Sequence, residues 1–311
     1  MKVEDIKKIL IVGGGTMGQQ TALICALHGY DVVMYDISME ILEKGFARVA
    51  KNSVRLTASG LCTKEAADAA LPRISLTDNP ETAADNVDFV IESVPEDPEL
   101  KGRIFAMFHE LCKPEAIFTT NTSTLVPSMF AHAVGRPDKF CAFHFHDISM
   151  TKIVDVMPHP GTSAETTETV RGFAARIGQV PIMLHTENNG YVFNNMLMAC
   201  LDSALTLATR KVASIEDIDR SWMGVLHTPL GPFGMIDSIG LDTVWKVTDF
   251  WAQTRQDKKA IANALFLKEH VDEGRLGIKV GKGFYDYPEP AYAKKDFLEP
   301  AKQENKLKNG E

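Results

Sequence analysis

The stretch ILIVGGGTMG, residues 9–18, decides the fold of this chain. Its first four residues, Ile9–Val12, form an apolar run that is typical of a strand buried on both faces. The run passes directly into a turn with the spacing G-x-G-x-x-G, which opens the helical pattern Met17–Leu27. A strand, a glycine-rich turn and a helix in this order predict the start of a parallel α/β sheet.

Each glycine of this turn has a physical role. Gly13 permits the tight turn, Gly15 lets the backbone approach a pyrophosphate, and Gly18 lets the helix pack closely on the strand. The helix N-terminus, where Thr16 and Met17 lie, supplies free N–H groups and a partial positive charge. The turn therefore predicts a dinucleotide-binding site.

Asp36 supplies the second half of this signature, at the end of the strand Asp31–Tyr35 and 18 residues after Gly18. A carboxylate there accepts hydrogen bonds from the ribose hydroxyls and repels a 2′-phosphate. Ile37 and Ser38 follow, so no arginine is present to favour NADP. We therefore predict NAD as the cofactor, with contacts at Gly13, Gly15, Thr16, Met17, Gly18 and Asp36.

Short runs typical of strands alternate with helical patterns through the first part of the chain. The further strands are predicted at Ile74–Leu76, Val87–Glu92, Ala116–Thr120, Phe140–Phe145, Lys152–Met157 and Val180–Leu184. Helices are predicted at Met39–Ser59, Thr63–Ala70 and Glu165–Ile177. This alternation indicates an α/β Rossmann domain with a mostly parallel sheet that is covered by helices on both faces.

The pattern changes after about residue 186. Asn194–Thr209 predicts a long apolar helix, and Ser214-x-x-Asp217 predicts the capped start of another. Helical periodicity continues through Leu241–Trp251 and Lys258–His270. We therefore predict two domains, an NAD-binding Rossmann domain at 1–186 and an all-helical domain at 187–311 for substrate binding and dimerisation.

Composition excludes several classes of function. The chain has 311 residues, of which 45% are hydrophobic and 24% charged, and its net charge is −8. This acidic balance argues against nucleic acid or an anionic membrane as a partner. No apolar run has the length of a membrane span or a signal peptide, and the five cysteines lack a metal-type spacing. We expect a cytoplasmic protein with reduced thiols, a small-molecule substrate and no metal site.

A dehydrogenase that oxidises an alcohol needs a base near the hydroxyl, and histidine suits this role because its pKa lies near neutrality. His144 ends the strand Phe140–Phe145, at the carboxyl edge where such sheets bind ligands. Asp155 lies on the following strand and could orient the imidazole. Spacing alone leaves the choice open, because His146 and Asp147 are equally near.

Eight segments together resemble the L-3-hydroxyacyl-CoA dehydrogenase superfamily, in order and in spacing, from the turn to about Tyr287. They are GGGTMG (13–18), VPEDPELKGRIF (94–105), NTSTL (121–125), FHFHD (143–147), KIVDV (152–156), GYVFNN (190–195), GPFGMIDSIGLDT (231–243) and LGIKVGKGFYDY (276–287).

The resemblance implies roles for particular residues. His144 becomes the catalytic base and Asp155 its orienting carboxylate, while Ser123 and Asn194 become hydrogen-bond donors to the reacting oxygen of the substrate. Three charged residues fall where the family contacts the dinucleotide, namely Glu96, Lys101 and Lys279. Without the resemblance, we would favour a structural role for all five residues: a helix cap for Ser123, an ordinary polar helix residue for Asn194, and solvated surface charges for the other three.

The chain also departs from the family pattern. His-x-x-Asn-Pro is replaced by His144-Phe145-His146-Asp147-Ile148, the family's glutamate by Asp155, and an arginine by Asn195. The helical hairpin after Asp36, which carries CoA-binding lysines in the family, has Ala58 and Ser59 at the aligned positions. Its remaining cations in this stretch are Lys51 and Arg55, and we assign Arg55 as a substrate-binding residue.

The resemblance implies an NAD-dependent oxidoreductase that interconverts an L-3-hydroxyacyl-CoA, such as 3-hydroxybutyryl-CoA, and the 3-ketoacyl-CoA, and that forms a homodimer. A neighbouring branch, the λ-crystallin-like L-gulonate 3-dehydrogenases and carnitine dehydrogenases, acts on free 3-hydroxy acids. This chain shares with that branch the segments 94–96, 127–128 and 158–160. A free 3-hydroxy acid is therefore the alternative substrate, and a non-catalytic NAD-binding protein is the alternative from another class.

Overall fold

The computed structural model of the protein describes residues 1–299. Its contacts divide the chain into two compact units, Met1–Asn195 and the residues from Met196 on. Residues 300–311 of the predicted second domain lie outside the described part. The domain boundary at 186/187 stays a prediction.

An eight-stranded sheet forms the centre of the first unit. Its strands are β1 (Lys8–Val12), β2 (Asp31–Tyr35), β3 (Ile74–Thr77), β4 (Phe89–Glu92), β5 (Ile117–Thr120), β6 (Phe140–Phe145), β7 (Ile153–Pro158) and β8 (Val180–Met183). They lie in the order β3-β2-β1-β4-β5-β6-β7-β8, and neighbouring strands are parallel except for β6 and β7. The predicted mostly parallel Rossmann sheet is confirmed.

The helices of the first unit connect these strands. They are α1 (Thr16–Leu27), α2 (Met39–Ala58), α3 (Lys64–Ala70), α4 (Pro80–Ala84), α5 (Pro98–Leu111) and α6 (Ala164–Arg176). Most begin at a side-chain cap, as where Asp97 accepts hydrogen bonds from the N–H groups of Glu99 and Leu100. α1 and α2 begin without such a hydrogen bond, and the cap residue of α1 is Gly15, which has no side chain.

The two faces of β1 show why its sequence is continuously apolar. Ile9 and Ile11 pack into a core that includes residues of α1, α2 and α6. Leu10 and Val12 point the other way, into a core with residues of α4 and α5. Each face of the strand is therefore covered by helices, and a polar residue at either face would be buried.

The strand order reverses direction at β1, which lies between β2 and β4. Gly13 follows β1 with φ +110°, and a Cβ added there would lie 2.7 Å from the carbonyl oxygen of Ser93, just after β4. Glycine at this position therefore lets the two chain segments pass closely. In open α/β sheets ligands bind at such a reversal, outside the carboxyl ends of the strands.

The second unit is helical within the described residues. Its helices are α7 (Phe193–Thr209, which begins in the last residues of the first unit), α8 (Ile215–Leu226), α9 (Pro232–Ile239), α10 (Leu241–Arg255) and α11 (Lys258–Asp272). Ser214 Oγ accepts the hydrogen bond from Asp217 N that the capping pattern predicts. Among residues 1–299, no helix is both long and apolar enough to cross a membrane.

A buried aspartate anchors α9. Asp219 accepts hydrogen bonds from Phe233 N at 2.8 Å and Gly234 N at 2.9 Å, in the first turn of the helix. The hydroxyl of Tyr285 donates a third, at 2.9 Å. The side chain caps the helix from a distance, because Gly231 at the capping position has no side chain to do so.

Asp88 provides a test of stability in the first unit. Burial raises the pKa of this carboxyl, but hydrogen bonds from Lys113 and from the N–H groups of Lys8 and Lys7 outweigh burial and hold the pKa below its usual range. We expect Asp88→Asn to lower the free energy of unfolding by about 1–3 kcal/mol at neutral pH. Urea unfolding followed by circular dichroism measures this loss.

The lowered pKa of Asp88 also determines how its contribution to the free energy of unfolding changes with pH. A carboxyl with a lower pKa in the folded state stabilises the fold above its unfolded pKa, and this contribution is lost as the pH falls through the folded pKa. The difference between wild type and Asp88→Asn should therefore shrink below about pH 4. Asp85→Asn, which alters an exposed carboxylate nearby, is the control. An equal loss in both variants would contradict the assignment.

Candidate functional site

The glycine-rich turn has the geometry of a phosphate-binding loop. A Cβ at Gly18 would overlap the carbonyl oxygen of Gly13, so α1 packs against the turn only with glycine there. At Gly15 the opposite holds, because an added Cβ would meet nothing within 4 Å. The open space beside Gly15 and the N–H groups at the start of α1 fit an anionic pyrophosphate.

Asp36 lies beside this turn. Its Oδ2 accepts a hydrogen bond from Gly14 N at 2.8 Å, which fixes the carboxylate relative to the turn. Gln19 supports the same loop by donating to the carbonyl oxygen of Gly14 at 2.7 Å. Asp36 Oδ1 has no hydrogen-bond partner among residues 1–299 and is available to ribose hydroxyls.

Lys101 lies inside the unit, with only 1% of its side chain exposed. Its Nζ lies 2.7 Å from Glu92 Oε1 and 3.2 Å from Glu96 Oε2, and it donates to the carbonyl oxygen of Val94 at 3.2 Å. An ammonium group has three donors, and these contacts use all of them. Lys101 therefore positions Glu96, and its predicted contact with the dinucleotide stays a prediction.

Glu96 holds the loop that contains Ser123. Its Oε1 accepts hydrogen bonds from Ser123 N at 3.0 Å, from Thr124 N at 3.3 Å and from the hydroxyl of Thr122. Burial raises the pKa of Glu96, but the charge of Lys101 and the hydrogen bond from Thr122 outweigh burial and hold it below its usual range. The carboxylate form thus orders the loop after β5.

His144 and Asp155 are directly opposite each other in the antiparallel pairing of β6 with β7. Side chains of such a pair lie on the same face of the sheet, with Cβ atoms about 4.5–5.5 Å apart. His144 Nδ1 lies 2.9 Å from Asp155 Oδ2, and both side chains are almost fully buried. The structure therefore brings together the two residues that the sequence analysis pairs.

His146 shares the same carboxylate oxygen. Residues two apart along a strand direction point to the same face, and His146 Nε2 lies 3.2 Å from Asp155 Oδ2. Burial raises the pKa of Asp155, but the hydrogen bonds from the two imidazoles outweigh burial and hold it below its usual range. The other oxygen, Asp155 Oδ1, is buried and has no hydrogen-bond partner among residues 1–299.

Asp147, the other carboxylate near these histidines, has a different role. It accepts hydrogen bonds from the N–H of Ser149 at 2.9 Å and from its hydroxyl at 2.6 Å. Burial raises its pKa, but these bonds and the charge of Arg55 outweigh burial and lower it. Asp147 thus caps the turn after β6, and the exposed guanidinium of Arg55 lies near this turn.

The segment 190–195 covers this part of the site. The Tyr191 ring lies 4.9 Å from the His144 ring, and the Phe193 ring lies 5.6 Å from the His146 ring. Asn194 Nδ2 is 3.5 Å from the carbonyl oxygen of Ser123, at the limit of a hydrogen bond. The segment therefore places Ser123, Asn194 and the two histidines in one region of the first unit.

Lys279 lies in the second unit, where its Nζ is 2.5 Å from Asp242 Oδ1. Its predicted contact with the dinucleotide stays a prediction. Two residues of this site were not predicted from the sequence. They are His146, which was considered only as an alternative to His144, and Tyr191. The two-residue spacing of His144 and His146 was a signal for the first, whereas no local pattern indicates the burial of Tyr191.

Comparisons with known proteins show which family the chain resembles along most of its length. The family model described as 3-hydroxyacyl-CoA dehydrogenase, NAD binding domain, matches residues 8–187, and the model for the C-terminal domain matches residues 190–287. A 3-hydroxybutyryl-CoA dehydrogenase of Bradyrhizobium diazoefficiens is 33% identical over 286 residues, which cover 91% of this chain and 96% of that protein.

Two solved structures are similar along almost their whole length. One is described as "Substrate-directed dual catalysis of dicarbonyl compounds by diketoreductase"; it is 36% identical with a TM-score of 0.83, and the match covers 91% of this chain and 99% of that one. The other is the (S)-3-hydroxybutyryl-CoA dehydrogenase of Ralstonia eutropha, 31% identical with a TM-score of 0.83 and coverages of 92% and 100%.

Asp36 provides the test of the nucleotide site. We expect Asp36→Ala to raise the Kd for NADH by roughly 10–100-fold, because a hydrogen bond to a charged group contributes about 1.5–3 kcal/mol. The preference for NADH over NADPH should fall as well, since the repulsion of the 2′-phosphate is removed. Fluorescence titration with both nucleotides measures the two effects.

Asp31→Ala is the matched control, since Asp31 is an exposed carboxylate at the other end of the same strand. It should leave both dissociation constants unchanged. Wild-type protein that binds NADPH as tightly as NADH would contradict the role of Asp36.

Proposed function

The chain belongs to the 3-hydroxyacyl-CoA dehydrogenase family, and on that premise we propose that it interconverts a short L-3-hydroxyacyl-CoA, such as 3-hydroxybutyryl-CoA, and the 3-ketoacyl-CoA. It is an NAD-dependent oxidoreductase. The observation that carries the proposal is the buried pair of His144 and Asp155 in the NAD-binding unit. Relatives named for 3-hydroxybutyryl-CoA support the choice of substrate.

NAD would be held by the turn around Gly15, the start of α1 and the carboxylate of Asp36, and when bound it accepts or supplies the hydride at C3 of the substrate. These residues would bind its pyrophosphate and ribose. We also propose Glu96, Lys101 and Lys279 as residues that contribute to this site, in the first two cases through the loop that Glu96 holds.

His144 acts as the base. Asp155 Oδ2 accepts the hydrogen bond from Nδ1–H, which fixes the tautomer that leaves Nε2 free to take the hydroxyl proton of the substrate. Asp155 stays ionised because its pKa is lowered, and its charge stabilises the imidazolium that forms. In the reduction direction the same Nε2 returns the proton.

Ser123 and Asn194 bind the reacting oxygen. Glu96 holds the backbone of Ser123, so the hydroxyl projects from an ordered loop. The long 3.5 Å contact of Asn194 Nδ2 with the Ser123 carbonyl leaves the amide able to donate to substrate. Preorganised donors of this kind stabilise charge that develops on the oxygen in the transition state.

A free 3-hydroxy acid is the second candidate substrate. Ala58 ends α2 and Ser59 follows it, at positions where the family resemblance leads us to expect lysines for CoA. The solved structure that is 36% identical to this chain is described as a diketoreductase, and its description names dicarbonyl compounds as the substrates. Homodimerisation through the second unit and a cytoplasmic location stay predictions from the sequence.

The catalytic base can be tested directly. We expect His144→Gln to lower kcat with acetoacetyl-CoA and NADH by ~10²–10⁴-fold, the usual contribution of a general base. The Kd for NADH should change little, because His144 acts on the substrate proton. Steady-state kinetics and NADH fluorescence measure the two quantities.

His132→Gln, at an exposed histidine in the short 3₁₀ helix Ala131–Ala133, is the control for this variant. An active His144→Gln protein together with an inactive His146→Gln protein would assign the base to His146 instead.

The acyl carrier requires a separate test. CoA presents several phosphate charges, and a contact remote from the reacting carbon contributes equally to ground and transition states. We therefore expect Arg55→Ala to raise KM for acetoacetyl-CoA with a smaller change in kcat. The effect should diminish with added salt, because exposed charges are screened.

Arg103→Ala, which removes an exposed cation on α5, is the matched control. If Arg55→Ala leaves KM for acetoacetyl-CoA unchanged and the wild type oxidises free 3-hydroxybutyrate or a sugar acid efficiently, the thioester proposal is wrong. The free acid is then the substrate.

A further inference from the structure

We propose that His144, His146 and Asp155 form a binding site for a divalent transition-metal ion such as Zn²⁺, and that an ion bound there inhibits the dehydrogenase. The site is independent of the proposed function as a binding site, whereas the inhibition rests on it. The spacing of the cysteines predicts no metal site, and none of the three ligands proposed here is a cysteine.

The three donor atoms are already close to the arrangement that one ion requires. His144 Nδ1 and His146 Nε2 lie 2.9 and 3.2 Å from Asp155 Oδ2. One donor atom from each of the three residues lies within 4.8 Å of the other two. Zinc bonds of about 2.0–2.1 Å at tetrahedral angles place neighbouring donors about 3.3 Å apart. Two of the three separations therefore need to change by at most about 0.4 Å, and both rings must tilt so that their nitrogen lone pairs point at the ion instead of at the carboxylate oxygen.

The backbone holds these donors on one face. His144 and Asp155 are a cross-strand pair of β6 and β7, and His146 follows two residues after His144. Phe193 packs edge-on against the His146 ring, and Tyr191 packs against the His144 ring. The rings are thus held beside the carboxylate before any ion binds, which lowers the entropic cost of forming the site.

The donor types select the class of ion. Two imidazoles and one carboxylate are the ligands of many zinc sites with an open fourth position, and imidazole also suits cobalt and nickel. Calcium and magnesium prefer an all-oxygen set and are disfavoured here.

An independent observation points to a cation at the same place. Asp155 is 1% exposed, and its Oδ1 is buried without a hydrogen-bond partner among residues 1–299. A buried carboxylate oxygen that lacks a donor is costly, and an ion bound by both oxygens of Asp155, Oδ1 as well as Oδ2, would compensate this cost.

Metal binding and base catalysis need different tautomers of His144. The hydrogen bond to Asp155 requires the proton on Nδ1, so that Nε2 can accept the substrate proton. An ion bound at Nδ1 requires the proton on Nε2, which then cannot accept one. His146 changes in the opposite sense, from Nε2–H to Nδ1–H, so two neutral rings release no net proton. The ion therefore competes with catalysis.

Cobalt is the probe, because its visible absorption reports coordination without any assay of activity. We expect the full-length protein, after treatment with EDTA, to bind one equivalent of Co²⁺ with a visible band that Zn²⁺ abolishes. His146→Phe should weaken binding by more than about 100-fold, since loss of even an outer partner of a ligand costs 10–100-fold. His132→Gln should bind as the wild type does.

NADH binding, measured on each variant, verifies that the nucleotide-binding unit is folded, and His146→Gln serves if His146→Phe fails this criterion. Absence of the band in the wild type, or an equal Co²⁺ affinity in wild type and the folded His146 variant, overturns the site.

The inhibition is tested with acetoacetyl-CoA and NADH. Zn²⁺ should inhibit the wild type reversibly, with recovery on adding EDTA, and the fractional inhibition should be smaller in the His146 variant. A wild type that binds Co²⁺ but turns over neither thioesters nor free acids overturns the proposed function and leaves the site intact. Activity that one equivalent of bound metal leaves unchanged overturns the inhibition.

Discussion

The candidate site depends on the antiparallel pairing of β6 with β7, the one reversal in an otherwise parallel sheet. In parallel strands, neighbours at the carboxyl edge come from segments separated by a helix, whereas this reversal sets His144 opposite Asp155 after a short loop. Asn121 fixes the end of β6 by accepting a hydrogen bond from Phe145 N at 2.7 Å. The loop after β5, which also carries Ser123, is thereby connected to the histidine strand.

The cross-strand geometry explains how Asp155, at the position where the resemblance implies a glutamate, reaches His144 with a shorter side chain. Opposite residues in an antiparallel pair have Cβ atoms about 4.5–5.5 Å apart, and the short carboxylate spans this gap with a 2.9 Å contact to Nδ1. The same oxygen also meets His146, which departs from the family pattern in the neighbouring segment. Asp155 and His146, the two positions that depart from the implied pattern, therefore contact each other through Asp155 Oδ2.

The sequence predicted most of the fold because its signals are local. The apolar run Ile9–Val12, the glycine turn and Asp36 each determine structure within a few residues, and the strands follow from similar runs. The pairing of Lys101 with Glu92 and the burial of Tyr191 could not be predicted in this way. Both depend on which segments the sheet brings together, and a charged or aromatic residue carries no local mark of that burial. The shared carboxylate of Asp155 is of the same kind, since register across two strands decides it.

A buried carboxylate between two imidazoles can be satisfied in two ways, by two N–H donors or by a cation, and the protein interior penalises any state with neither. With two N–H donors, the proton on His144 Nδ1 leaves Nε2 available to a substrate, which is the state that base catalysis needs. Yet Asp155 Oδ2 receives both donors while Oδ1 receives none. This uneven distribution leaves one side of the carboxylate unsatisfied in the state with two N–H donors. His146 therefore adds a donor that lowers the basicity of Asp155 towards His144, and the same imidazole completes a set of metal ligands. His146→Phe would remove both the second donor to Asp155 and the second imidazole ligand. The side chain at this position therefore decides whether the proposed base also lies in a metal-binding site.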